Sequence, residues 1–346
     1  MRRLRAACCV LRATGLGRQR AVVVLLLLAC TSALRTGRSA RLDLRGYQEP
    51  DGAITLHAGG DLVDPYFATK ALLAARAAGA DVGRAGRAWV AWAAARQLPD
   101  GRFERQCRAH AAAPWSRCWD ADADDALAAL WLELLHELAP SRSGGGLPLA
   151  WRPSAESAER HLAVLRDPST GVYRVSRTQP AALLMDNVEI YGALAAVARA
   201  RRRLGDAAGA ERAAAQADTL AAAIGRVFRH PGRRALVVST QQSPDDSAAA
   251  FYPYAVAELY PWLAGLPAPA GEPSPREAFA RWLARHGERW LAFTDDPYPW
   301  GLVALTAARL GDGATARRWL DRAAPLRGTV RWNVLEEAIF QALGRK

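Results

Sequence analysis

The sequence has no apolar run near its N-terminus that is long enough to cross a bilayer. The apolar stretch at residues 21–29 is far short of the roughly 20 residues that a transmembrane helix needs. It follows a basic segment, and residues 1–40 contain eight arginines and no acidic residue. A basic segment before a short apolar run is typical of an export signal. We therefore expect residues 1–40 to be a leader and residues 41–346 to be one folded domain.

The end of the apolar run, Leu27-Leu28-Ala29-Cys30, resembles the bacterial lipoprotein cleavage box. That resemblance implies that Cys30 is the lipidated first residue of the mature protein. An ordinary signal peptide, an uncleaved anchor and a misassigned start codon are the alternatives, because the basic segment is unusually long. In each exported case we expect a periplasmic or cell-surface protein that contacts the membrane only through its leader or a lipid anchor.

Cysteine is scarce beyond the leader, where only Cys107 and Cys118 occur. In an oxidising compartment, two cysteines eleven residues apart predict a disulfide that closes a small loop. A metal site built on Cys107 and His110 is the alternative, but no other convincing ligand accompanies them.

Basic charge is also limited in the folded part. Subtracting the eight leader arginines from the net charge of +12 leaves +4 for residues 41–346, which argues against a nucleic-acid partner. The sequence contains no phosphate-binding loop, no H-E-x-x-H motif and no nucleophile elbow. We therefore expect no cofactor and no metal, and a monomer.

A short sequence pattern recurs in the chain: an acidic residue is followed by an apolar segment rich in alanine and leucine, which is typical of a helix. The spacings of its five copies are 58, 64, 59 and 50 residues. A repeat of this length with a second amphipathic helix in each unit predicts stacked helical hairpins. The fold class is then all-α, an (α/α)6 toroid, with residues 334–343 as a sixth inner helix and residues 41–56 filling part of the outer layer. The phrases begin at Asp64, Asp122, Asp186, Asp245 and Asp295.

Helix boundaries follow from capping residues, glycines and prolines. The predicted inner helices are residues 65–78, 124–138, 188–204, 247–263, 299–310 and 334–343. The predicted outer helices are residues 84–97, 154–165, 208–228, 275–291 and 314–323. Short extended segments are expected at residues 53–56, 102–104 and 172–175.

A ring of such hairpins places the acidic helix starts on one rim. Each aspartate there has a structural interpretation as an N-cap and a functional one as a catalytic or sugar-binding acid. The doubled acids, such as Asp295-Asp296, exceed what capping requires, and tyrosine or tryptophan accompanies several of them. Glycoside hydrolysis needs two carboxyl groups of unequal pKa, and neighbouring acids with partial burial supply that inequality.

The chain resembles the six-hairpin (α/α)6 glycosidases over residues 60–340. Residues 185–194, Met-Asp-Asn-Val-Glu-Ile-Tyr-Gly-Ala-Leu, are similar to an inner helix of glucoamylase- and debranching-type enzymes. Residues 119–127, Trp-Asp-Ala-Asp-Ala-Asp-Asp-Ala-Leu, are similar to an inner-helix start of glycoside hydrolase family 8 cellulases. Those cellulases open their first inner helix with Ser-Glu-Gly, where this chain has Val63-Asp64-Pro65-Tyr66.

The resemblance implies hydrolysis of a polysaccharide or oligosaccharide by carboxylate acid/base catalysis. Asp64 or Asp122 is then the proton donor, and Asp186 or Asp246 is the base. The expected sugar-binding residues are Tyr66, Trp119, Asp125, Glu189, Tyr191, Tyr252, Asp295 and Trp300.

Three other functions fit parts of the sequence. Residues 63–66 differ from the Ser-Glu-Gly motif of the cellulases, and this difference also fits a non-catalytic protein that binds carbohydrate as a component of envelope polysaccharide machinery. Residues 92–103 resemble the Gln-Trp repeat of terpene cyclases and prenyltransferase β-subunits, and Asp122-Ala123-Asp124-Asp125 spells their D-x-D-D motif. Sugar epimerases of the same fold use helix-borne histidines, for which His136 or His161 is a candidate.

Overall fold

Helices follow one another in pairs, in which a mostly buried helix precedes one that is buried on one face. The computed structural model describes residues 40–140, 146–229, 236–241, 250–268, 271–294, 296 and 298–345. The mostly buried helices are α1 (Pro65–Ala77), α3 (Asp124–Leu138), α5 (Leu184–Arg203), α7 (Tyr260–Ala264), α9 (Gly301–Arg309) and α11 (Val334–Leu343). Their partners are α2 (Gly83–Ala94), α4 (Arg152–Leu165), α6 (Ala207–Val227), α8 (Pro275–Ala292) and α10 (Gly313–Ala323).

The mostly buried helices form a closed inner ring. Contacts run from α1 to α3, α5, α7, α9 and α11 in turn, and α11 packs against α1. Because an outer helix returns the chain between successive inner helices, the inner helices run in the same direction and their N-termini share one rim. The predicted all-α (α/α)6 toroid is confirmed. Among the described residues, no helix is long and apolar enough to span a membrane.

Buried tryptophans join the inner and outer layers. In α3, Trp131 is fully buried and its Nε1 donates a hydrogen bond to Ser154 Oγ of α4 at 2.9 Å. In α10, the fully buried Trp319 donates from Nε1 to the Pro299 carbonyl at 2.9 Å. A buried tryptophan N–H usually finds a hydrogen-bond partner, so these two bonds allow the rings to be buried without leaving a donor unpaired.

The sixth outer position is filled by residues 40–57, which lie against α11 as an irregular segment rather than a helix. The Asp43 backbone N–H donates to Gln341 Oε1 at 3.0 Å, and Gln341 Nε2 donates back to the Asp43 carbonyl at 2.6 Å. The Val334 N–H donates to the Leu56 carbonyl at 2.9 Å. This segment therefore covers α11, as the sequence predicts for residues 41–56.

A small antiparallel sheet lies beside the rim. Its strands are β1 (Leu62–Val63), β2 (Glu104–Cys107) and β3 (Ser116–Asp120), in the order β1-β2-β3. Arg105 of β2 pairs with Trp119 of β3, and a register shift follows Arg105. A disulfide joins Cys107 to Cys118, as their spacing predicts, with a Cα–Cα distance of 5.7 Å. Cys107 is therefore not available for a metal site with His110.

The fourth inner helix differs from the prediction. A continuous helix over residues 247–263 is wrong for the part that the structure describes. A π-helical turn, Phe251–Ala255, contains Tyr252 in an extended conformation, and α7 covers only five residues. Pro253 and Pro261 cannot donate backbone hydrogen bonds inside a helix, which explains the interruption. Strands β1 and β3 were not among the predicted segments.

Candidate active site

Two buried carboxyl groups, those of Asp125 and Asp186, lie at the rim of the inner ring. Asp125 in the first turn of α3 is fully buried, and Asp186 in the first turn of α5 is 6% exposed. Within the described part of the chain, Oδ2 of each residue has no hydrogen-bond partner. Burial raises the pKa of both carboxyls, and the charge of Asp186 raises that of Asp125 further. Such a carboxyl keeps its proton at neutral pH.

A buried lysine lies deeper in the ring than these acids. Lys70 Nζ lies 2.6 Å from Glu189 Oε1 and donates to the hydroxyls of Tyr66 at 2.7 Å and Tyr260 at 2.9 Å. The Tyr66 hydroxyl in turn donates to Glu189 Oε2 at 2.7 Å. Burial opposes the charge on Lys70, but Glu189 raises the lysine pKa. Tyr66 and Glu189, both predicted to bind sugar, are therefore held by internal partners.

Asp64 caps the first inner helix. Its Oδ1 accepts a hydrogen bond from the Tyr66 N–H at 3.0 Å, and its Oδ2 accepts one from Arg105 Nε at 2.5 Å. The residue is 2% exposed. Burial raises the Asp64 pKa, whereas Arg105 lowers it. Both carboxylate oxygens are thus occupied by structural partners, which leaves Asp64 poorly placed to donate a proton.

A further buried acid, Glu336, lies in the first turn of α11 and is 3% exposed. Its Oε2 accepts a hydrogen bond from the Gly301 N–H, at the start of α9, at 2.8 Å. Burial raises the Glu336 pKa to about 8, although the Gly301 N–H and Lys70 both favour the anion. Sequence reasoning missed this residue because the sixth inner helix lacks the opening aspartate of the other repeats. The available signal was the pair Glu336-Glu337 at the start of an apolar helix.

Aromatic side chains also meet at this rim. The ring of Tyr252, which is 48% exposed, stacks on that of Trp300 with centroids 5.0 Å apart and planes at 21°. Trp119 of β3 is 61% exposed and lies opposite Arg105 in the sheet. Sugar rings bind to such exposed aromatic faces, so these three residues are suited to a glycan site.

The remaining predicted site residues divide into three groups. Asp122 is exposed just before α3, and its charge acts on Asp64, Asp186 and Tyr252, which places it at the rim. Tyr191 is not brought to the rim acids, because its hydroxyl donates to the Gly265 carbonyl at 3.4 Å. Asp246 and Asp295 lie outside the described residues.

Neither a protein-family model nor a curated protein matches this sequence. Solved structures do share its fold. A GH63 mannosylglycerate hydrolase from Thermus thermophilus, in complex with glucose, has a TM-score of 0.54 and 15% identity, and the match covers 87% of this chain and 97% of that one. A reducing end xylose-releasing exo-oligoxylanase has a TM-score of 0.52 and 16% identity, covering 87% and 86%. A D-mannose isomerase has a TM-score of 0.50 and 10% identity, covering 87% and 93%.

The chain has the six-hairpin (α/α)6 glycosidase fold. At these identities the likeness concerns the fold alone, and the chemistry has to be argued from the residues of this chain.

Two alternative chemistries find little support in this six-hairpin structure. Burial raises the pKa of Asp124, the central residue of the D-x-D-D motif, to about 6, while Arg102 lowers it. This carboxyl is therefore mostly ionised at neutral pH and is a poor donor of a proton to an alkene. His136 is buried with its Nε2 against Arg201, at 3.2 Å, and Nδ1 against the Leu132 carbonyl. Burial lowers the pKa of His136 and of His161 to about 4. These are packing histidines.

One cleft among the described residues lies in the outer layer, away from the rim. Its volume is about 510 Å³, and it lies between α8 and the α9–α10 turn, with Phe279, Leu283 and Leu310 in its lining. None of the rim acids described above lines it. This outer-layer cleft is therefore a feature separate from the rim.

Proposed function

We propose that the chain is a glycoside hydrolase that acts on a polysaccharide or oligosaccharide, with Asp186 as the proton donor and Glu336 as the base. The observation that carries this proposal is the pair of buried carboxyl groups on two facing inner helices at one rim. A mannosylglycerate hydrolase with bound glucose and an exo-oligoxylanase of the same fold support the substrate class, but the roles of the residues rest on this chain alone.

The arrangement of the ring supports the pairing. Asp186 is on α5, the third inner helix, and Glu336 is on α11, the sixth. In a ring of six, the third and sixth members lie opposite one another, so their carboxyl groups face across the mouth. Acids on opposite sides of the mouth can act on the two faces of a bound sugar, one as the proton donor and the other as base or nucleophile.

Asp186 suits the donor role. Burial and the neighbouring acids Glu189 and Asp122 raise its pKa to about 8, the value that burial also gives Glu336, so hydrogen bonding has to separate the two roles. Asp186 Oδ2 has no hydrogen-bond partner among the described residues, which favours the protonated form that can transfer a proton to the leaving glycosidic oxygen. The sequence-based role for Asp186 was the base; its surroundings favour the donor instead.

Glu336 suits the base role. The Gly301 N–H and the positive charge of Lys70 stabilise its anion, and the anion would take a proton from the water that attacks the sugar. Because its pKa is about 8, the anionic fraction increases as pH rises through that value. We therefore expect activity to increase from pH 6 towards pH 8.

Sugar binding in this proposal falls to exposed groups at the rim. Tyr252 and Trp119 offer exposed aromatic faces, and Trp300 is half-buried with Tyr252 stacked on it. Asp122 offers a carboxylate that can accept hydrogen bonds from sugar hydroxyls. Export, lipidation at Cys30 and a periplasmic or cell-surface location belong to the same proposal and rest on the sequence of residues 1–40.

The test is release of reducing ends by the purified protein from panels of β-glucans, α-glucans and amino-sugar polymers and their oligosaccharides. Asp186→Asn and Glu336→Gln should each reduce release by about 10²- to 10⁴-fold, the usual contribution of a general acid or base. The matched control is Glu133→Gln, because Glu133 is another acid whose pKa burial raises to about 8, but in the middle of α3.

Each outcome has a defined meaning. Loss of release in both rim variants but not in the control supports the assignment. Release that survives both substitutions contradicts it. Glycan binding without release by the unmodified protein would favour the non-catalytic carbohydrate-binding component, and neither binding nor release would contradict a glycan function altogether.

A further inference from the structure

We propose that Lys70 is a positioning residue that acts through Tyr260 to hold the fourth inner helix, α7, and with it the aromatic pair formed by Tyr252 and Trp300. The kinetic consequence rests on the proposed function, in which this pair binds sugar. The holding of α7 is a property of the folded protein and can be measured without any substrate.

The fourth inner helix needs support from elsewhere in the ring. It covers only five residues, Tyr260–Ala264, and Pro261 is among them. A helix this short is not stable by itself. The chain before it, Phe251–Ala255, is a π-helical turn in which Tyr252 has an extended backbone. The position of α7 therefore depends on tertiary contacts more than that of a longer inner helix does.

Neighbouring helices hold the turn before α7 and the end of α7. Trp282 Nε1 of α8 donates a hydrogen bond to the Ala255 carbonyl at 2.8 Å. Arg309 of α9 donates one to the Leu263 carbonyl. Neither of these bonds involves Tyr260, the first residue of α7, whose side chain is buried. The start of the helix is therefore held by a different contact.

Lys70 provides that contact from across the ring. It is on α1, the first inner helix, whereas α7 is the fourth, so the two helices lie on opposite sides of a ring of six. Lys70 Nζ donates a hydrogen bond to the Tyr260 hydroxyl at 2.9 Å and lies 4.9 Å from the centre of the Tyr260 ring. Both side chains are buried, so breaking this bond would leave a buried donor without its acceptor, which is costly.

Lys70 is itself held in place by two further acceptors. Its Nζ lies 2.6 Å from Glu189 Oε1 of α5 and donates to the Tyr66 hydroxyl at 2.7 Å. The Tyr66 hydroxyl donates in turn to Glu189 Oε2 at 2.7 Å. An ammonium group has three donors, and the three acceptors together fix its position. Lys70 is therefore a fixed point against which the Tyr260 hydroxyl is placed.

The chain that leads into α7 carries one member of the aromatic pair. Tyr252 is on the π-helical turn, and its ring stacks on that of Trp300 with centroids 5.0 Å apart. Trp300 Nε1 has no hydrogen-bond partner within the part of the chain that the structure describes, so no bond from that atom fixes the indole. Tyr252 also acts electrostatically on Tyr260, which agrees with their being close. A shift of α7 would thus move Tyr252 relative to Trp300.

The experiment is hydrogen exchange of the full protein, followed by mass spectrometry in peptides that cover residues 256–266. These peptides contain amide groups whose hydrogen bonds close the turns of this region. Tyr260→Phe removes only the hydroxyl and keeps the ion pair between Lys70 and Glu189. We expect exchange in these peptides to increase about 5- to 10-fold, the effect of losing one buried hydrogen bond.

Thr69→Val is the matched control. Thr69 is next to Lys70 on α1 and is fully buried, and its Oγ1 accepts a hydrogen bond from Trp89 Nε1 of α2 at 3.2 Å. Each substitution therefore takes the acceptor from one buried donor, but only Tyr260→Phe affects the link across the ring. Exchange in residues 256–266 should not change in Thr69→Val. An equal increase in both variants, or no increase in Tyr260→Phe, would overturn the proposal.

A second variant tests Lys70 itself. Lys70→Met combined with Glu189→Gln removes both charges together, so that neither is left buried alone. This double variant should increase exchange in the same peptides at least as much as Tyr260→Phe does, and it answers the question if Tyr260→Phe does not fold. Unchanged exchange in the double variant would show that Lys70 does not hold α7 and would contradict the proposal.

A kinetic readout separates this inference from the proposed function. If the protein hydrolyses a glycan, Tyr260→Phe should increase KM by about 3- to 10-fold, the effect of a weakened aromatic contact, and change kcat by less than about 2-fold. The reason is that Asp186 and Glu336 are on α5 and α11 rather than on α7. A lower kcat with an unchanged KM would mean a merely structural role and would count against the proposal. If no glycan is hydrolysed, the proposed function fails, while hydrogen exchange still decides whether Lys70 holds α7.

Discussion

Gly301 is the residue on which the position of Glu336 depends. Its backbone N–H holds Glu336 Oε2, and a Cβ atom at this position would lie 2.5 Å from the same oxygen and 2.9 Å from the ring of Trp319. Trp319 is fully buried, so it has little room to move away. Glycine is required here by the close approach of two side chains.

Gly301→Ala should therefore destabilise the protein by about 1–3 kcal/mol, the usual effect of overpacking a core, and should reduce hydrolysis by displacing Glu336. Urea unfolding and kcat measure the two effects. Gly313→Ala is the control at the start of α10, where a Cβ would meet only Arg317 Nη1 at 3.6 Å. Alanine favours helix more than glycine does, so the control should be neutral or slightly stabilising; a similar loss in both variants would contradict the close-contact argument.

Some of the residues that lie at the rim could be identified from the sequence, and others could not. Asp122, Asp125 and Asp186 stand at the starts of apolar helices, where a ring fold has to bring them together. Lys70 was missed because one lysine inside an alanine-rich helix carries no local signal of its distant partner Glu189. Only the ring fold, which brings a side chain of α1 to one of α5, gives Lys70 its role.

The β2–β3 hairpin carries one of the rim residues, Trp119. Trp119 projects from β3, and the Cys107–Cys118 disulfide closes the hairpin. A covalent link over a loop of this length restricts mainly the unfolded and locally open states.

Reducing this disulfide, or replacing both cysteines by serine, should cost about 2–3 kcal/mol of stability. It should increase KM more than it decreases kcat, because Trp119 is on the hairpin whereas Asp186 and Glu336 are on helices. Denaturant unfolding and steady-state kinetics with and without reductant measure both effects. Reductant should not affect the double serine variant, and an unchanged KM in that variant would show that the hairpin does not contribute to binding.

Local signals predicted most helices to within a few residues. The predicted helix at residues 124–138 agrees with α3, and that at residues 334–343 agrees with α11, since apolar periodicity and capping residues are local properties. The fourth inner helix was wrong because its apolar pattern continues across Pro253 and Pro261. Strand β3 was not predicted because its largely exposed residues do not alternate in polarity.

For the molecule as a whole, buried acids should make stability depend on pH. Burial raises the pKa of Glu336 and of Glu133 to about 8, and it raises that of Asp186 as well. Between pH 6.5 and pH 8 these groups bind protons in the folded state but not in the unfolded state, so stability decreases as pH rises. The lowered pKa values of His136 and His161 act in the opposite direction, but only below about pH 6.5.

We therefore expect the free energy of unfolding to decrease steadily from pH 6.5 to pH 8, as measured by urea unfolding at fixed ionic strength. Glu336→Gln removes one of these groups and should make the slope shallower by up to about 1.4 kcal/mol per pH unit. A constant or rising stability over this range would show that the buried acids are ionised in the folded protein.

Local sequence patterns were enough to predict the hairpin repeat, the all-α ring, the disulfide and the common rim of acidic helix starts. Helix periodicity, capping and cysteine spacing depend only on residues close together in the sequence. They could not show which acids pair with a cation, which are buried without one, and which face each other. In the folded chain, the Asp64 carboxylate pairs with Arg105, and the Glu336 carboxylate accepts a hydrogen bond from the Gly301 N–H. The buried Oδ2 atoms of Asp125 and Asp186 have no hydrogen-bond partner among the described residues. These differences depend on packing between helices far apart in the sequence, and it is burial and charge at that range that set the pKa of a carboxyl group.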